Sequence, residues 1–191
     1  MFRVLSRVVL GTLLAMSIIS TPASYAAGSP IAMINRSTGK CADLPNRGAD
    51  PAGTPVTQFS CDSSDGDNQL WIPRPTRVVN GVQLYEFLNV KSSLCLDLPG
   101  YGYTPAATQL SIYYCASTPA DDNQEWYIRD VVEPHVDQLV INYKNGLCLD
   151  VAGWASTGSD QANNLPLTVF TCYDPSWAND GYDDHRWLLM A

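Results

Sequence analysis

Beyond residue 27 the apolar positions fall in short runs, many alternating with polar ones, at 31–34, 82–90, 109–114, 138–143 and 165–171. Alternation with period two turns one face of a strand to a core and the other to water. The runs are bounded by turn formers such as Leu98-Pro99-Gly100 and Lys144-Asn145-Gly146, which end strands and reverse the chain. No segment there sustains a capped helical period. The pattern predicts an all-β fold of many short strands. Residues 1–26 follow another rule. Arg3 and Arg7 precede an apolar run at 8–19, broken only by Gly11, Thr12 and Ser17, and small residues lead to Ser24-Tyr25-Ala26-Ala27. This order predicts an export signal cut after Ala26. The run falls short of the ~20 residues that a membrane span needs.

The residues from 27 on repeat themselves. The six Cys stand at 41, 61, 95, 115, 148 and 172, so successive pairs enclose gaps of 20, 20 and 24. The first members lie 54 and 53 residues apart. An exported chain reads Cys as disulfides before metal ligands. Although 15 pairings are open to six Cys, the spacing suggests one bridge per unit. Asn35, Asn89 and Asn142 each precede the first Cys of a unit by six positions, and Asp43, Asp97 and Asp150 follow it by two. Phe59, Tyr113 and Phe170 stand two before the second Cys, and Thr57, Ser111 and Thr168 four before it. The units end Asn68-Gln69-Leu70-Trp71, Asn123-Gln124-Glu125-Trp126 and Asp184-His185-Arg186-Trp187. Three such units, at about 30–76, 77–131 and 132–191, predict a closed threefold arrangement rather than an open stack.

This combination of Cys-x-Asp, an aromatic before the second Cys and a closing Gln-x-Trp resembles the ricin B-type lectin domain, over residues 27–191. The resemblance implies a β-trefoil of three four-stranded lobes, with Trp71, Trp126 and Trp187 around the axis and bridges Cys41–Cys61, Cys95–Cys115 and Cys148–Cys172. It also implies sugar sites. A carboxylate accepts hydrogen bonds from vicinal hydroxyls, and such charge-assisted bonds are strong. An aromatic ring covers the apolar face of a pyranose, and an asparagine amide serves the next hydroxyl. Carried over, these roles fall on Asp43, Phe59 and Asn68 in unit one, and on Asp97, Tyr113 and Asn123 in unit two. In unit three they fall on Asp150 and Phe170, with Asp184 in the Asn position. Gln69 and Gln124 support the Asp from the side.

The sequence departs from the family pattern at three places. A Gln expected four before the second Cys is replaced by Thr57, Ser111 or Thr168. Phe at 59 and 170, in place of Trp or Tyr, suits core packing better than stacking. His185 takes the Gln position of unit three, which suggests a structural role. Unit two is therefore the most complete, and Tyr101 and Tyr103 in the loop after Asp97 offer a second wall. Trp154 and Trp177, in the longer polar loops of unit three, are candidate stackers or anchors for a protein partner.

Composition narrows the function. The chain of 191 residues carries 11 basic and 19 acidic side chains, a net charge of −8. Without Arg3 and Arg7 the balance is 9 against 19, or −10. Such a surface repels phosphate backbones and anionic lipid heads, which argues against nucleic acid or a membrane surface as partner. A neutral glycan is unaffected. His135 and His185 are the only histidines. There is no Gly-x-Ser-x-Gly frame, zinc-spaced histidine pair or phosphate loop. The acidic loop 62–68 does not follow the EF-hand ligand order, and the sequon Asn35-Arg36-Ser37 coincides with the repeated Asn. No cofactor is implied. The expectation is a secreted, non-catalytic carbohydrate-binding protein for galactose-type or β-linked glycans. The alternative is a protein-interaction module on the same scaffold: an accessory or cell-binding toxin subunit, or a protease inhibitor.

Overall fold

The computed structural model of the chain describes residues 28–64, 66–131, 137–172 and 184–191. His135 and Trp177 lie outside them, as does the expected export signal. The first lobe contains β1 (Ile31–Asn35), β2 (Cys41–Asp43), β3 (Thr57–Phe59) and β4 (Leu70–Val79). The second contains β5 (Val82–Asn89), β6 (Cys95–Asp97), β7 (Thr108–Gln109), β8 (Ser111–Tyr113) and β9 (Trp126–Asp130). The third contains β10 (Gln138–Asn142), β11 (Cys148–Val151), β12 (Leu165–Phe170) and β13 (Arg186–Met190).

Antiparallel pairing runs β1–β4–β5–β9–β10–β13 and returns from β13 to β1. These strands close a barrel, which removes the exposed edges that an open sheet would present. Three hairpins, β2–β3, β6–β8 and β11–β12, cap it. This is the β-trefoil. Pro73 and Pro75 sit in β4, which bulges between Pro75 and Val78. Proline is tolerated there because it need not donate at a bulge or a sheet edge.

The caps are locked together around the axis. The Val56 amide donates to the Leu110 carbonyl (3.0 Å), Leu110 to Leu167 (2.9 Å) and Leu167 back to Val56 (3.0 Å). Three residues earlier in each lobe a second ring forms, from Gly53 to Ile112 (2.7 Å), Ala107 to Val169 (2.7 Å) and Asn164 to Gln58 (2.8 Å). Gly53, Ala107 and Asn164 all have positive φ, at 87°, 64° and 64°. The left-handed turn aims each amide at the neighbouring lobe, although two of the three residues carry the steric cost of a Cβ.

Beneath the rings lies the core. Trp71, Trp126 and Trp187 are fully buried with Met33, Phe87, Leu96 and Leu149. The Trp71 and Trp187 indoles donate to the Ala42 and Leu149 carbonyls, at 3.2 and 3.1 Å. Each lobe holds one disulfide, Cys41–Cys61, Cys95–Cys115 or Cys148–Cys172, pinning the strand that bears Cys-x-Asp to the end of its hairpin. In the chain-entropy account a loop of this length contributes roughly 3 kcal/mol.

The repeated asparagine joins one lobe to the one before. Asn89 Nδ2 donates to the Asn68 carbonyl (2.7 Å), while its Oδ1 accepts from the amides of Lys91 (3.1 Å) and Ser92 (3.0 Å). Asn142 makes the same contacts with Asn123, Lys144 and Asn145. Asn35 closes the cycle on Asp184, Ser37 and Thr38. All three are fully buried. A net 0.5–1.5 kcal/mol per bond, plus stranded partners, puts the cost of Asn89→Ala at about 2–4 kcal/mol. Urea denaturation should show this as a lower midpoint with an unchanged slope.

Candidate functional site

Asp43, Asp97 and Asp150 end or nearly end the short strands β2, β6 and β11, and each is paired across its hairpin with a hydroxyl residue: Thr57, Ser111 or Thr168. This explains the departure four before the second Cys. The side chain opposite the carboxylate is a short hydroxyl, and in lobe three Thr168 Oγ1 donates to Asp150 Oδ2.

The Gln-x-Trp glutamines approach the same carboxylates from the side. Gln124 Nε2 donates to Asp97 Oδ1 (2.9 Å) and the Tyr114 carbonyl (3.0 Å), and its Oε1 accepts from the Ala116 amide (2.9 Å). Gln69 does the same with Asp43 (2.9 Å), Ser60 (3.2 Å) and Asp62 (2.9 Å). Every polar atom of each glutamine is engaged, so the carboxylate is held in one orientation. Burial raises these carboxyls from 3.8, Asp43 to about 6 and Asp97 to about 7, while the glutamine bond pulls each partly back. A low-dielectric setting disfavours the charged form, and one neutral donor does not compensate fully.

Asp97 opens onto a cleft of about 530 Å³ walled by Tyr101 and Tyr113, with Gly53 and Pro55 from the first lobe. Tyr113 is 45% exposed, so its ring is available. Tyr101 and Tyr113 also border a smaller hollow of about 280 Å³ beside Tyr114 and Asp122. Tyr103, 81% exposed, does not line the cleft. Asp150 opens onto a second cleft, about 570 Å³, walled by Trp154, Phe170, Asp184 and His185, with Ala107 and Gln109 from the second lobe. Trp154 is 67% exposed. Gln109 lies on both clefts. In the first lobe, Arg47 takes the place of Tyr101 in the loop, and its guanidinium bonds Asp62 and Ser64 (3.1 Å to Ser64). That lobe therefore presents only Phe59 as its aromatic.

Several expectations change. The sequence places Asn68 and Asn123 against a sugar hydroxyl, but both are fully buried. Asn123 Nδ2 donates to the Gly100 (3.1 Å) and Gly102 (3.2 Å) carbonyls. Asn68 donates to Asp50 Oδ2 (3.1 Å) and accepts from the Leu44 amide (3.3 Å). They shape the loop after the Asp rather than face a ligand. Phe59 and Phe170 are not core residues; they are 38% and 37% exposed. His185 is more than scaffold. It lines the third-lobe cleft, its Nε2 lies 3.1 Å from Asp150 Oδ1, and its ring stacks on Phe170 at 6.3 Å. Asp184 is driven up to about 8 by burial and by the nearby Asp150, with His185 opposing. Gly53, Pro55 and Gln109 escaped the sequence reading because they come from the neighbouring lobe and belong to no repeated motif.

The ricin-type beta-trefoil lectin domain matches residues 29–165 of the chain. No curated protein sequence matches it. Among solved structures it resembles the Rhizoctonia solani agglutinin (19% identity, TM-score 0.63, covering 89% of this chain and 99% of that one). It also resembles the Macrolepiota procera ricin B-like lectin in complex with lactose (14%, TM-score 0.59, 88% and 99%). A third likeness is to the Haemophilus ducreyi cytolethal distending toxin (15%, TM-score 0.59, 84% and 82%).

The raised Asp97 carboxyl has a consequence for stability. Between pH 4 and 7 the folded chain holds a proton there that the unfolded chain, with an ordinary carboxyl, has released. Stability from this group is therefore lost as pH rises from about 4 to about 7. Asp97→Asn keeps an oxygen for Gln124 and removes that loss. Its stability relative to the parent should rise between pH 4 and pH 8, by at most about 4 kcal/mol for a shift of about three units. Thermal denaturation at the two pH values reads the difference.

Proposed function

This chain belongs to the ricin-type β-trefoil lectin family, and from that premise we propose that it is a secreted, non-catalytic carbohydrate-binding protein. The observation that carries the reading is the second-lobe cleft. There a carboxylate fixed by Gln124 sits at the base of an open space walled by two tyrosines. Asp97 accepts from vicinal hydroxyls, and the Tyr113 ring covers the apolar face of the sugar. The hollow on the far side of Tyr101 and Tyr113 offers room for a second sugar residue. The third-lobe cleft repeats the plan with Asp150, Trp154 and Phe170. The ligand class we assign is galactose-type or β-linked glycans, a choice supported by the lactose bound to the Macrolepiota lectin. Export is supported by the pattern of residues 1–26 and by the three disulfides. Sites this shallow are weak singly, so affinity comes from engaging more than one lobe.

A second reading, a cell-binding or accessory subunit, draws on the exposed Tyr101, Tyr103 and Tyr114 and on the likeness to the cytolethal distending toxin. The two readings separate by mutation. Glycan-array screening of the folded protein should give binding to galactosides or β-linked oligosaccharides. Calorimetry should then show Asp97→Ala and Tyr113→Ala each weakening the second-lobe site about tenfold or more, a loss of about 1.4 kcal/mol or more. Asp150→Ala and Trp154→Ala should do the same in the third lobe. Second-lobe affinity should also fall as pH drops below about 7, where Asp97 takes up a proton and ceases to be a pure acceptor. No glycan bound by the folded protein would overturn the carbohydrate reading.

A further inference from the structure

The first two lobes place Asn-Gln ahead of the closing Trp, whereas the third places Asp184-His185. The exchange does more than alter hydrogen bonding. It replaces a neutral amide beside the Cys-x-Asp carboxylate with an imidazole, and it adds a second carboxylate. Asp150, Asp184 and His185 each offer one donor atom, and the three atoms lie within 4.8 Å of one another. His185 Nε2 and Asp150 Oδ1 are 3.1 Å apart, an ion-pair distance that two ligands of one small cation also adopt. Asp184 is 6% exposed, and its Oδ2 has no hydrogen-bond partner. A buried carboxylate oxygen beside a second carboxylate is costly unless a proton or a cation stands between them.

The surroundings hold these donors in place. Thr168 Oγ1 occupies Asp150 Oδ2, which leaves Oδ1 turned toward His185. Phe170 stacks on the imidazole at an interplanar angle of 16°, fixing the plane of the ring. Asn35 Nδ2 bonds the Asp184 backbone carbonyl. Outer partners of this kind orient metal ligands in general. All three donors also line the third-lobe cleft, so a bound ion would keep open positions toward the cavity.

We propose that the third lobe is a divalent-cation site, with Asp150, Asp184 and His185 as ligands and the remaining positions open to water or a ligand hydroxyl. Two carboxylate oxygens and one imidazole nitrogen suit zinc or manganese; calcium, which takes six to eight oxygens, fits poorly. The site shares Asp150 and its cleft with the third-lobe sugar reading, but metal binding is measured without any glycan.

The test uses the full chain, free of any histidine tag, stripped with EDTA and dialysed. Titration with Zn²⁺ and with Mn²⁺, followed by calorimetry, should show one saturable site per chain for at least one of them. Saturating metal should raise the melting temperature by several degrees, as any ligand of the folded state alone must. Asp184→Asn with His185→Gln restores the pair found in the other lobes. That variant should fold, retain its circular dichroism and bind the metal at least tenfold more weakly. Asp97→Ala should leave metal binding unchanged. Absence of saturable binding by the parent overturns the proposal, for then the group is a proton-bridged acid–imidazole cluster. Equal binding by the double variant overturns it as well. Should that variant misfold, His185→Gln alone is measured to the same criterion.

Discussion

The backbone ring at the axis governs this molecule. Val56, Leu110 and Leu167 each give their amide to the next lobe and take one from the lobe behind. A buried amide without a partner costs about as much as a lost hydrogen bond. No lobe can satisfy these three groups alone, so the ring forces the lobes into register with each other. That register brings Gly53, Ala107 and Asn164 onto neighbouring strands and carries the asparagine ties. It also sets the walls of the clefts, because each cap lies against the strand of the next. The hydrophobic core then fills a space whose outline hydrogen bonding has already drawn.

Repetition made much of the fold legible. Equal offsets between Cys, Asp and Trp report contacts inside a lobe, and they led to the disulfides and the buried tryptophans. Contacts between lobes leave a fainter trace. Pro55 and Gln109 face clefts of a lobe other than their own, and nothing near them in the chain marks the fact. Asn68 and Asn123 show a different limit. A side chain able to meet a hydroxyl is equally able to meet a carbonyl, and only the placement of the loop after the Asp decides between them. For Phe59 and Phe170, residue type pointed inward while the strand's pleat turned them out.

The three lobes share a scaffold and differ in chemistry. Lobe one substitutes a charge, Arg47, where lobe two offers a ring, and spends it on Asp62. Lobe two has a neutral amide supporting its carboxylate; lobe three has an imidazole and a further acid. The symmetric elements are those that touch the axis or the preceding lobe. Among the described residues, the loop after each Asp and the pair before each Trp differ between lobes, and a change there alters the surface without opening the barrel.

Each cleft borrows a wall from the lobe before it, and one physical consequence follows. A single unit of this kind, released as a separate chain, would carry part of a cleft and two unanswered ring amides. Only as a homotrimer would it regain either, and dilution would dissolve it. Joining the units end to end removes that dependence on concentration. It also releases each copy from having to serve in all three places at once. The covalent chain is thus what permits Arg47, Tyr101 and Trp154 to occupy corresponding regions of one protein.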